Sequence, residues 1–147
     1  MTSRIDTIHR AISVLQRLSD LFAERREQIA RQCHLSVAQW GLLEEIATEH
    51  FMPSMFAQRR SVTPAAVSKL VRGLLERHLI RTSIADGDRR KRNYVLTAAG
   101  RRTLDLVRST RQSAIDEGWA DLPVADLRGF ARFGELLGDR LEARVDR

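Results

Sequence analysis

The sequence predicts a mainly α-helical fold with one small β-hairpin wing, a winged helix-turn-helix with long helices at both ends. Three observations carry this reading. Apolar residues recur at steps of three and four through most of the 147 residues. Two helices with clear start signals meet at the short turn Ser61-Val62. The hydrophobic period then switches to two on either side of the charged loop DGDRRKR.

The first helix spans roughly Ser3 to Arg31, a stretch without Pro or Gly. Ile5, Ile8, Ile12, Leu15, Leu18 and Phe22 form one apolar stripe on it, which must pack on the rest of the chain or on a second copy. Ser36 then caps a second helix, Gln39 completes a capping box, and Leu35 with Trp40 stands at hydrophobic-staple spacing. Leu43, Ile46 and Ala47 continue its buried face, and Pro53 places its end near His50.

A short helix fits Ser54 to Arg60, with Ser54 as cap and Phe56-Ala57 facing inward. After the turn, Thr63 caps the helix TPAAVSKLVRGLLERH, with Pro64 at its first position, where a missing N–H costs nothing. Its apolar face is Val67, Leu70, Val71, Leu74 and Leu75. Ile80, Thr82 and Ile84 share one face of a strand, and Tyr94 and Leu96 share a face of the strand that follows. Thr97 caps a helix running to about Trp119, and Pro123 opens a last one carrying Leu127, Phe130, Phe133, Leu136, Leu137 and Leu141.

Bulk properties narrow the function classes. Hydrophobic residues make up 43% and charged residues 30%, as expected for one ordinary globular domain over 1–147. The net charge of +6 makes a polyanion the first partner to consider, although an Arg-rich genome would account for part of the excess. Cys33 is the only cysteine, so no intrachain disulfide forms. The N-terminus MTSRIDTIHR lacks a secretory apolar region, and no apolar run approaches the roughly 18 residues that cross a bilayer. A soluble, cytoplasmic chain with no membrane partner is expected.

The order from Leu35 to Gly100 resembles the MarR family of bacterial winged helix-turn-helix transcription regulators. The likeness lies in LSVAQWGLLEEI, in MFAQRRSVTPAAVSKLVRGLLERHLIRT and in the wing segment DGDRRKRNYVLTAAG, whose LTxxG ending follows a basic tip. Two positions depart from the family pattern: Gly87 stands where Pro is common, and Phe51-Met52-Pro53-Ser54-Met55 is unusually apolar for that helix start. The resemblance implies dimerisation helices at 1–34 and 101–147 around a DNA-binding lobe at 35–100. It implies a homodimer on a pseudo-palindromic double-stranded DNA operator, and a repressor released by a small aromatic or phenolic effector.

In a helix-turn-helix the second helix reads the major groove from its N-terminal end. The candidate reading residues are Thr63, Pro64, Ala65, Ala66, Ser68, Lys69 and Arg72, although any surface helix displays Lys and Arg. The wing candidates are Asp88, Arg89, Arg90, Lys91 and Arg92. Consecutive cations repel one another, and an Arg inserted into a narrow minor groove is one use for such a tip; a merely solvated turn is the alternative. The resemblance favours Arg89 or Arg90 as the inserted residue, with Asp88 orienting a neighbouring Arg.

Other chemistry has little support. His9, His34, His50 and His78 are scattered without metal-ligand spacing, so no metal and no cofactor is expected. No catalytic triad, carboxylate pair or phosphate loop is present, and the chain is not expected to be an enzyme. Cys33 reads as an ordinary thiol or as a redox sensor, and Trp40 as core or as the wall of an effector cleft. Three function classes follow: an effector-released repressor, a ligand-independent DNA-binding activator or architectural factor, and a winged-helix module for RNA or protein contacts. The basic wing counts against the third.

Overall fold

The structure is a computed structural model and describes residues 2–84 and 92–145. The elements run α1 (Arg4–Gln32), α2 (Val37–Ala47), α3 (Pro53–Arg59), α4 (Pro64–Glu76), β1 (Ile80–Ile84), β2 (Arg92–Leu96), α5 (Ala98–Trp119) and α6 (Val124–Val145). The chain divides into two compact units, Met1–Arg111 and Gln112–Arg147, and α5 passes from the first into the second.

In the first unit, α1 begins at a capping box in which the Ser3 hydroxyl accepts from Asp6 N–H and the Asp6 carboxylate accepts from Ser3 N–H. It ends with His34 at φ 57°, where Leu35 N–H reaches the Ala30 carbonyl at 2.9 Å. Only its last turns are covered: Ile29 and Ala30 are buried, whereas Ile5, Ile8, Ile12, Leu15 and Phe22 are 44–55% exposed. The stripe read from the sequence exists, and this chain leaves most of it bare.

The core lies around α2. The Ser36–Gln39 box forms as expected, with both hydrogen bonds at 3.0 Å, and the staple residues Leu35 and Trp40 are buried. The helix buries more than the one face expected: Leu42 and Leu43 are both fully buried, alongside Trp40, Gly41 and Ile46. A central helix is covered on several sides, so it needs no polar stripe there. It ends at Ala47 rather than near His50. The Thr48 hydroxyl donates to the Glu45 carbonyl at 2.6 Å and accepts from His50 N–H at 3.3 Å, while Glu49 turns left-handed at φ 62°.

The start of α3 also departs from expectation. Its cap position is Met52, which makes no side-chain capping bond, and Pro53 is the first helical residue; Ser54 lies inside the helix. Pro53 supplies a preset φ and has no N–H to satisfy, and it pushes Met52 into an extended conformation at φ −124°. The helix closes with Ser61 at φ 52° and Val62 N–H bonded to the Ala57 carbonyl at 3.0 Å. The Thr63 hydroxyl then accepts from Ala66 N–H at 3.1 Å, which starts α4 where the sequence placed it.

The hairpin is antiparallel, with Ile80 opposite Leu96 and Thr82 opposite Tyr94, the register that puts the expected residues on one face. Its base is tied to α5. Thr97 N–H bonds to the Leu79 carbonyl at 3.1 Å, the Thr97 hydroxyl donates to the His78 carbonyl at 2.6 Å, and Gly100 N–H donates to that hydroxyl at 3.0 Å. A Cβ on Gly100 would stand 1.9 Å from the Leu79 carbonyl oxygen. The LTxxG ending therefore has a steric cause: α5 starts so close to the end of α4 that only glycine fits. In the second unit, α6 buries none of its residues, and Phe130, Phe133, Leu136 and Leu141 are each more than half exposed.

Candidate nucleic-acid interface

The candidate interface lies on α4, whose two faces differ sharply. Val67, Val71 and Leu74 are buried, with Leu70 and Leu75 half-buried beside them. On the other side Ala65, Ser68, Lys69 and Arg72 lie at helical spacing and are all exposed. Thr63 and Pro64 at the helix start are exposed as well, while Ala66 is half-buried because it turns toward the core face. The structure therefore brings the expected reading residues other than Ala66 onto one exposed surface. Neither Lys69 nor Arg72 forms an ion pair with a described residue.

Other cations nearby are already engaged. Arg59 bonds to Glu45 at 2.9 Å, and the Arg60 guanidinium lies over the Phe56 ring, 5.4 Å from its centroid. Arg60 also fills the space over Gly41, where an added Cβ would come within 3.1 Å of it. The wing residues Asp88, Arg89, Arg90 and Lys91 lie outside the described residues; Arg92 is the first residue of β2, opposite Ile84.

Trp40 sits in the core at 4% exposure. Its indole N–H donates to Glu44 at 3.3 Å, and the Arg26 guanidinium covers the ring at 5.0 Å. Glu44 is in turn gripped by Arg108 of α5 through two bonds, at 2.6 and 3.3 Å. The hydrogen bond from Arg108 holds the Glu44 carboxyl below the usual range against the opposing effect of burial, and the same bond raises Arg108. Cys33 is buried too, with its sulfur 3.8 Å from the Thr110 hydroxyl.

Two open hollows lie elsewhere. One, of about 320 Å³, runs between α4 and Tyr94. The other, of about 390 Å³, lies among Ile46, Leu96, Arg101, Leu104 and Arg108. Trp40 lines neither. Among the described residues no group of three or more His, Cys, Asp or Glu could hold a metal ion, and no helix is long and apolar enough to cross a membrane. Sequence reasoning did not find Phe51, which touches both α3 and the hairpin, or the steric role of Gly100. The apolar run at 51–55 was the only signal for the first, and the LTxxG pattern for the second.

The geometry defines a winged helix-turn-helix whose second helix presents an exposed face carrying Lys69 and Arg72. Its fold is similar to that of solved MarR-family regulators. One solved structure, described as a MarR family transcription regulator, superposes with a TM-score of 0.86 over 100% of this chain and 98% of its own, at 14% identity. A MepR mutant from S. aureus bound to an oligodeoxyribonucleotide matches with a TM-score of 0.65 at 18% identity, over 88% of this chain and 96% of that one. CouR from Rhodococcus jostii RHA1 bound to p-coumaroyl-CoA matches with a TM-score of 0.67 at 18% identity, over 84% and 88%. No protein-family model and no curated sequence matches the chain.

Proposed function

We propose that this protein is a MarR-type transcriptional regulator, a homodimer that binds a pseudo-palindromic double-stranded DNA operator and is released by a small organic effector. The observation that carries the reading is the recognition face of α4. Ala65, Ser68, Lys69 and Arg72 stand exposed on one side of a helix whose other side is anchored in the core. Small residues at the leading end let a helix approach base edges closely, and cations behind them meet phosphates or guanines. The wing residues Asp88 to Arg92 supply a second, minor-groove contact, with Arg89 or Arg90 inserted.

The bare stripe of α1 supports the dimer. Ile5, Ile8, Ile12 and Leu15, at 44–55% exposure on one helix, are costly in water and gain cover from a second copy. In this reading 1–34 and 101–147 supply the dimerisation helices of a single functional domain, and 35–100 the DNA-binding lobe. The DNA-bound and effector-bound states of proteins with this fold support the release mechanism, which needs an effector with different affinity for the two states. The hollow among Ile46, Leu96, Arg101 and Arg108, with Glu49 and Asp105 also on its wall, offers an effector apolar and charged contacts, whereas Trp40 would take part only if Arg26 moved aside. The regulator acts in the cytoplasm, where its DNA lies, and does no catalysis.

The test is fluorescence anisotropy on the duplex upstream of its own coding sequence and on a scrambled duplex, at several salt concentrations. Preference for the upstream duplex, loss of affinity with salt, and weaker binding by Arg89→Ala/Arg90→Ala are expected. Equal weak binding to both duplexes, unchanged in the variant, would overturn the reading.

A further inference from the structure

The apolar segment before α3 has a place in the structure that the recognition face does not explain. The Phe51 ring stands edge-on to two others: Phe56 of α3, with centroids 5.8 Å apart at 69°, and Tyr94 of β2, 6.1 Å apart at 65°. Phe56 is buried, Phe51 and Tyr94 half-buried. The three rings form a strut from the first helix of the helix-turn-helix to the middle of the second hairpin strand.

On another side Tyr94 faces open space. The hollow of about 320 Å³ separates it from Val67, Ser68, Val71 and Arg72 of α4, with Pro53 also on the rim. The strand packs on α2 rather than on the recognition helix. Phe51 instead ties the strand to α3, which packs on the recognition helix, with Pro53 two residues on fixing the local backbone. Ser68 and Arg72 belong both to this rim and to the exposed reading face, so a shift of Tyr94 changes the distance between strand and readers.

We propose that Phe51 is a positioning residue that sets the spacing between the hairpin and the recognition helix, so that only a duplex matching that spacing engages both. The inference rests on the DNA-binding reading above. Edge-to-face ring pairs have preferred geometry, which gives the strut a set length that an aliphatic side chain lacks. Phe51 touches no base or phosphate in this account; it acts through Tyr94.

The test compares wild type with Phe51→Leu, which keeps apolar bulk without ring edges, and Phe51→Tyr, which keeps the ring. Each is titrated against the upstream and scrambled duplexes at one salt concentration, well below its melting temperature. Phe51→Leu should weaken upstream-duplex binding about tenfold and scrambled-duplex binding less than about twofold. Phe51→Tyr should restore the wild-type preference. In the Arg89→Ala/Arg90→Ala background Phe51→Leu should add less than about twofold, because its effect passes through the wing.

A merely structural role would lower the melting temperature while leaving the preference between duplexes intact. That outcome, or full additivity with the wing variant, overturns the inference while leaving DNA binding standing. A wild-type protein without any preference overturns the DNA reading itself, and the positioning role with it.

Discussion

Helices α2 and α6 have opposite relations to the chain around them. The 11 residues of α2 include five that are buried, whereas the 22 residues of α6 include none. Both are rich in Leu, so Leu content does not separate them. What differs is cover. The stability of the first unit comes from a helix wrapped by its own chain, while α6, like most of α1, presents an apolar face that its own chain leaves open. The contrast divides the apolar residues into those that hold the fold and those that this chain leaves exposed, and mutations should respect that division.

The largest effect should come from the covered side. Gly100→Ala places a methyl group 1.9 Å from the Leu79 carbonyl oxygen, a backbone atom that has no rotamer with which to escape. Either α5 shifts or the hairpin base opens, and the Thr97 bonds to His78 and Leu79 are strained with it. A loss of about 4 kcal/mol or more is expected in denaturant unfolding. A loss under about 1 kcal/mol would show that this junction is loose.

The bare side should respond differently. Ile8→Asp with Ile12→Asp puts two charges into the α1 stripe, at positions 44% and 48% exposed. Within one chain such surface changes shift stability by no more than about 0.5 kcal/mol each. In a two-fold dimer both copies carry them, and the dissociation constant should rise by about a hundredfold or more. Sedimentation velocity reads this directly. A variant that stays dimeric at the wild-type concentration would mean that the stripe is covered by something else.

A smaller effect tests the link between the covered helix and α5. Arg108 depresses the Glu44 carboxyl, so the pair stabilises the fold above the usual Glu range and loses that contribution as pH falls through the lowered value. The Glu44 side chain is 36% exposed, so solvent screens the pair and the contribution stays below about 1 kcal/mol. Wild type should lose more melting temperature between about pH 6 and pH 3.5 than Glu44→Gln does. Parallel acid limbs would show the pair to be idle.

What the sequence made legible was local. The Ser36–Gln39 box, the Thr63 cap with Pro64, and the pairing of Ile80 and Thr82 with Leu96 and Tyr94 all depend on residues close in the chain or on strict alternation. Ser54 was misread because a serine near a helix start imitates a cap, while Pro53 had already fixed the first helical position. Leu42 was missed because burial on several sides has no period. Trp40 reads as core more readily than as cleft, and the positions of Arg26 and Glu44 show the closed setting. Of the candidate site, the α4 face was legible from spacing alone, but Phe51 was not, since its contacts to Phe56 and Tyr94 arise only when the hairpin folds back.

The smallest effect concerns helix ends, where cover makes no difference. Helix α4 closes through His78 at φ 56°, and α1 and α3 close in the same left-handed way through His34 and Ser61. None is glycine, although the left-handed region costs a residue with a Cβ about 1–2 kcal/mol. His78→Gly removes that cost and leaves the Leu79 N–H bond to the Leu74 carbonyl and the Thr97 bond to the His78 carbonyl in place, because both use backbone atoms of this segment. Glycine returns part of the gain by widening the unfolded ensemble. The expected net is a stabilisation of about 0.5 kcal/mol, a rise of roughly 1–2 °C in melting temperature for a chain of this size. The imidazole is exposed, so little packing is lost. If His78→Gly is instead destabilising, the histidine side chain makes a contact worth more than the left-handed backbone costs it.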